Sequence, residues 1–137
     1  MRTVFADTLY WYGLANPRDQ WHSSVLQARK QLGAVQIVTT EEVLTEFLTA
    51  MSGGGDHLRR VAATLVQTIL TDRGAQILPQ THFSFLRGLE LYERRADKAY
   101  SMVDCISMNA MRDEGITEIL TNDHHFAQEG FAVLLRK

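Results

Sequence analysis

Five short β-rich runs separated by longer stretches of helical spacing limit what this chain can fold into. The runs are TVFAD (residues 3–7), AVQIVT (34–39), AQILP (75–79), TEIL (117–120) and FAVLL (131–135). Between them, apolar residues recur with helical period. Residues 17–32 carry Trp21, Val25, Leu26 and Leu32, and 56–73 carry Leu58, Val61, Ala62, Leu65, Val66, Ile69 and Leu70. Residues 40–51, 81–95 and 101–114 read as helices too. Strands spaced by helices predict βαβ crossovers and a parallel sheet covered on both faces. The expected fold is a three-layer α/β/α sandwich around about five parallel strands, with a Rossmann-related plan. A length of 137 residues supports one core, so residues 1–137 read as one domain.

In such sheets, ligands bind beyond the carboxyl ends of the strands. Asp7 ends the first run, and Asp123 follows the fourth after Thr121 and Asn122. Two more acids, Glu46 and Asp104, lie on helices that can approach that edge. Carboxylates gathered there suit a hard divalent ion. Each has an ordinary reading as well. Asp7 can cap the aromatic helical turn after it, and Asp123 can be a turn residue. Ser101-x-x-Asp104 has the form of a capping box. Periodicity points Glu42 away from its helix's apolar face but leaves Glu41 and Glu46 equivalent.

Other chemistries find less support. There is no Gly-x-Ser-x-Gly elbow, and Gly53–Gly55 lack the Lys-Ser/Thr of a phosphate-binding loop. Cys105 is the lone cysteine, reads as core, and allows neither an internal disulfide nor a cysteine zinc site. His124 and His125 are adjacent, so on an ideal helix their rings diverge by about 100°, unlike paired zinc ligands. They read as surface residues at a turn, with Phe126 as its apolar anchor. No run is long enough to span a membrane, no signal peptide is evident, and a cytoplasmic location is expected. A net charge of −2 gives no general footprint for nucleic acid, which leaves Arg59, Arg60, Arg94, Arg95 and Lys98 as local cations, also readable as solvated helix faces.

Three stretches together resemble the PIN domain, the nuclease fold of VapC-type toxins and related ribonucleases. VFADTLYWYGLANPRDQWH resembles the family's first strand with its acid. IVTTEEVLTEFLTAM resembles the second strand and the helix bearing the glutamate. DKAYSMVDCISMNAMRDEGITEILTNDHHFAQEGF resembles the Ser-x-x-Asp helix, a strand and Thr-x-Asp-x-x-Phe. The resemblance implies that Asp7, Glu46, Asp104 and Asp123 are the catalytic acids and hold Mg²⁺ or Mn²⁺. Thr8, Ser101 and Asn122 fall beside them as supporting polar residues, and Asp97 as an added charge at the rim. It further implies metal-dependent hydrolysis of RNA, a homodimer, and a cognate antitoxin if the chain is a toxin. The alternative is a PIN-like module that holds RNA or protein with little or no catalysis. Receiver domains and haloacid-dehalogenase-like phosphatases fit less well. The first would want a lysine facing the pocket after the last strand, the second an Asp-x-Asp after strand one.

Overall fold

A computed structural model describes residues 1–137. Its five strands are β1 (Thr3–Ala6), β2 (Gln36–Thr40), β3 (Ala75–Leu78), β4 (Glu118–Leu120) and β5 (Ala132–Val133). All pair in parallel, in the spatial order β3-β2-β1-β4-β5. Seven helices surround the sheet: α1 (Thr8–Ala15), α2 (His22–Leu32), α3 (Glu41–Met51), α4 (Gly55–Thr71), α5 (His82–Arg94), α6 (Met102–Glu114) and α7 (His124–Gln128). The chain builds β1, β2 and β3 outward in one direction, then returns to place β4 on the other side of β1. The topological switch point therefore lies between β1 and β4, where Phe5 pairs with Ile119 and Ala6 with Leu120.

The sheet's centre is its driest part. Val4, Phe5, Ala6, Ile119 and Leu120 are fully buried, as continuous apolar strands covered on both faces should be. Strong local signals punctuate the helices. Thr40 accepts the Val43 N–H at the start of α3, Thr81 and Ser84 form a capping box on α5, and Ser101 and Asp104 form another on α6. Gly115 ends α6 in the left-handed conformation (φ 68°). At Gly88 the missing side chain lets α5 lie against α6, since a Cβ there would sit 2.5 Å from Ile106 Cγ1.

Some expectations needed correction. The segment after Asp7 is a full helix, α1, rather than one aromatic turn; its buried Tyr10 and Trp11 rings meet edge-on at 4.9 Å. Helix α2 starts at His22 rather than at Pro17. The preceding residues turn instead, with the Asn16 and Asp19 side chains accepting the N–H groups of Arg18 and Trp21. HHF opens a short helix, α7. No helix is long and apolar enough to cross a membrane.

Candidate active site

The two acids that follow strands come out side by side at the switch point. The Asp7 N–H still reaches the Leu120 carbonyl at 3.4 Å, continuing the β1–β4 ladder by one residue. Beside it, the buried Thr121 makes two bonds. Its hydroxyl donates to Asp7 Oδ2 at 3.0 Å and accepts the Asp123 N–H at 3.2 Å. On the other flank, Thr39 of β2 donates to the Ala6 carbonyl at 2.8 Å and accepts from the Trp11 indole at 3.4 Å. The backbone that presents Asp7 is therefore held from both neighbouring strands.

Helices supply the other two acids. Glu46 lies on α3, and its Oε1 accepts the hydroxyl proton of Thr8, the residue after Asp7. Glu41 and Glu42 point elsewhere: Glu41 accepts the Gln80 N–H at 2.7 Å, and Glu42 accepts from Ser84 at 3.3 Å. Contacts thus separate three glutamates that periodicity left partly ambiguous, and Glu42, expected to face away, is met by α5. Asp104 sits in the first turn of α6. It does close the capping box, accepting the Ser101 N–H at 3.1 Å through Oδ2. Asp123 is likewise a true N-cap, its Oδ1 accepting the His125 N–H at 3.0 Å. The ordinary and the chemical readings coexist, because each capping carboxylate keeps a second oxygen.

The electrostatics tie the four acids to one another. Burial pushes the Asp7 carboxyl up to about 7, and the charges of Asp104 and Glu46 push the same way; the Thr8 N–H and Thr121 hydroxyl oppose them. Asp104 is raised chiefly by burial, with Asp123 adding to it, while its bonds to Ser101 and the nearby His125 pull down. None of the four acids pairs with a lysine or arginine; the basic side chains within ion-pair range are those of His124 and His125, beside Asp123 and Asp104. Carboxylates gathered without a fixed cation repel and hold protons. Their oxygens are hard donors that Mg²⁺ or Mn²⁺ would neutralise, so the residues present fit such an ion.

Not every candidate joins this group. Asp97 is exposed and lies 3.7 Å from Lys98, with no contact to the other acids. Asn122 donates to the Leu135 carbonyl at 2.8 Å, so it fastens the β4–α7 loop to the last strand rather than facing the acids. Ser101 caps α6. The local cations are largely engaged: Arg60 pairs with Asp56 at 2.9 Å, and Arg95 with Glu129 at 2.6 Å.

Two residues were missed. Thr121 follows β4 as Asp7 follows β1, so the same edge rule would have found it. His125 is no surface residue: its side chain is 19% exposed, and its Nδ1 lies 3.3 Å from Asp123 Oδ1 and 3.6 Å from Asp104 Oδ2. The expected divergence of the two histidines also fails. Their rings sit 4.6 Å apart, and ligand atoms of Asp123, His124 and His125 lie within 4.8 Å of one another. They occupy the first two positions of α7, where both rings reach back toward the capping carboxylate.

A parallel five-stranded α/β/α sandwich with acids converging beyond β1 and β4 defines a PIN-like fold. The chain is a homologue of the 23S rRNA-specific endonuclease VapC20 of Mycobacterium tuberculosis. It is 28% identical to that protein, from each of two strains, over 131 residues, which cover 93% of this chain and 95% of the relative. The crystal structure of Mycobacterium tuberculosis VapC20, described as a Sarcin-Ricin loop cleaving toxin, superposes with a TM-score of 0.85 and 24% identity. That match covers 97% of this chain and 99% of the other. No family model matches the chain. The resemblance to PIN domains read in the sequence is borne out by this homology and by the shared fold.

Proposed function

We propose that the chain is a metal-dependent endoribonuclease acting as the toxin of a toxin–antitoxin pair. Asp7, Glu46, Asp104 and Asp123 carry the reaction as one nuclease domain spanning residues 1–137. The observation that carries this reading is the convergence of four acids, two of them raised, with no lysine or arginine among them. Likeness to VapC20 over nearly the full length supports RNA as substrate, ribosomal RNA in particular, and a cytoplasmic setting.

In this reading the four carboxylates hold Mg²⁺ or Mn²⁺, which when bound supplies charge neutralisation and water activation at the scissile phosphate. The chain's own residues set the geometry. Thr121 fixes the Asp7 carboxylate against the start of the β4–α7 loop, and Thr8 fixes Glu46 beside it. The two capping turns hold Asp104 and Asp123 in place without using all of their oxygens.

The test is cleavage of single-stranded RNA and of a ribosomal RNA stem-loop in chelator, Mg²⁺ or Mn²⁺, with the wild type and Asp104→Asn. Cleavage should need the ion, and the variant should lose at least about a hundredfold in rate, as expected when a group stabilising the transition state is removed. Cleavage that persists in chelator sinks the metal dependence, cleavage unchanged in the variant sinks the acidic site, and no cleavage by wild type with either ion leaves a binding module.

The homodimer is also proposed, and α5 offers a surface for it. Phe83, Phe85, Leu86, Leu89 and Tyr92 all stand exposed along this helix. A clustered apolar stripe on an otherwise ordinary surface marks an interaction site. Helix α5 offers more than α2, where Leu26 alone is markedly exposed. Phe85→Glu with Leu89→Glu should convert a dimer to a monomer by light scattering. A wild type that is monomeric at high micromolar concentration would remove the proposal.

A further inference from the structure

We infer that His125 is a nitrogen ligand of the divalent-metal site and that the site therefore favours Mn²⁺ over Mg²⁺; this rests on the acidic metal site proposed above. Its Nδ1 is buried and has no hydrogen-bond partner. Asp123 Oδ1, at 3.3 Å, is near enough to be one, yet the ring makes no hydrogen bond to it, and Asp104 Oδ2 stands at 3.6 Å. These two oxygens also cap α6 and α7, each accepting one backbone N–H with a lone pair to spare. A ring nitrogen set between them and bonded to neither is spaced as ligands of one ion are. Donors around an octahedral cation with bonds of about 2.1 Å lie roughly 3 Å apart.

The ring is held in this place. The Tyr100 ring lies 5.2 Å away on centroids and the His124 ring 4.6 Å. The His125 backbone N–H bonds the Asp123 carboxylate, so one turn fixes both donors. His124 is the weaker candidate: its side chain is 75% exposed, its Nδ1 is 3.9 Å from Asp123, and it has no approach to Asp104. An all-oxygen site suits either ion, but the harder Mg²⁺ accepts an imidazole nitrogen less readily than Mn²⁺, a first-row transition-metal ion, so one nitrogen ligand shifts the preference between these two toward Mn²⁺.

The experiment is calorimetric titration of the full chain with MnCl₂ and with MgCl₂, joined to electron spin-echo modulation of bound Mn²⁺. Wild type, His125→Gln and His124→Gln are compared. Wild type should bind Mn²⁺ the more tightly and show nitrogen modulation of the imidazole type. His125→Gln should lose that modulation and about tenfold in Mn²⁺ affinity, a loss typical of disturbing a metal's ligand sphere, with Mg²⁺ affinity little changed. His124→Gln should keep the modulation. Mn²⁺ binding without nitrogen modulation in the wild type overturns the inference and leaves the acidic site standing, as does modulation that survives in His125→Gln or vanishes in His124→Gln. If neither ion binds the wild type, the metal-site reading itself fails. Should His125→Gln not fold, the wild-type and His124→Gln spectra still decide the matter.

Discussion

Metal-free protein carrying Asp7→Asn is expected to be more stable than wild type at pH 8, by on the order of 2–4 kcal/mol, while having no cleavage activity. Asp7 is 7% exposed, and its carboxyl is raised from 3.8 to about 7. Above the folded value the folded and unfolded states are both ionised, and folding bears the whole cost of burying the charge beside Asp104 and Glu46. Below the unfolded value both states are protonated and the cost is gone. Wild-type stability from this group therefore rises as pH falls from about 8 toward 4, and asparagine removes that dependence. Urea unfolding in chelator at both ends of this range measures it. A variant less stable at pH 8, or a gain of equal size at pH 4, contradicts the account. Saturating Mn²⁺ should reverse the order, because ligand binding to the native state stabilises wild type and not the variant.

Phe126→Ala carries the second large effect. Phe126 is fully buried and belongs to the main core, with the Phe131 ring 6.3 Å from its own. Truncating a buried phenylalanine costs about 3–5 kcal/mol through lost burial and the cavity left behind. Here the loss falls on the one apolar side chain that α7 buries, three residues after Asp123. Hydrogen exchange across residues 121–128 should accelerate beyond the global loss, and metal affinity should fall although no acid is altered. A cost below about 1 kcal/mol would mean that the turn is not seated by this ring.

The sequence carried the sheet well because its strands are short, apolar and regularly spaced by amphipathic helices. It did less for α1, where TLYWYGLA is apolar on nearly every side; a helix covered all round leaves no period to detect. Pro17–Trp21 have helical spacing by eye, yet Asn16 and Asp19 divert the backbone into side-chain-bonded turns. Helix α7 is too short for periodicity to report. The acids at the strand ends were legible through the edge rule, and Glu46 through resemblance to a family pattern. His125 was not, because the side chains of adjacent residues diverge by about 100° only on an ideal helix. In a first turn capped by Asp123, both rings fold back toward the cap.

The hydroxyl of Thr121 links Asp7 to the Asp123 loop across 114 residues of chain. During synthesis Asp7 emerges well before β4, which closes the switch point beside it. Until β4 has left the ribosome and inserted next to β1, the acids cannot meet. The acids at the two strand ends therefore meet only late in folding, once the pairing of β1 with β4 has formed.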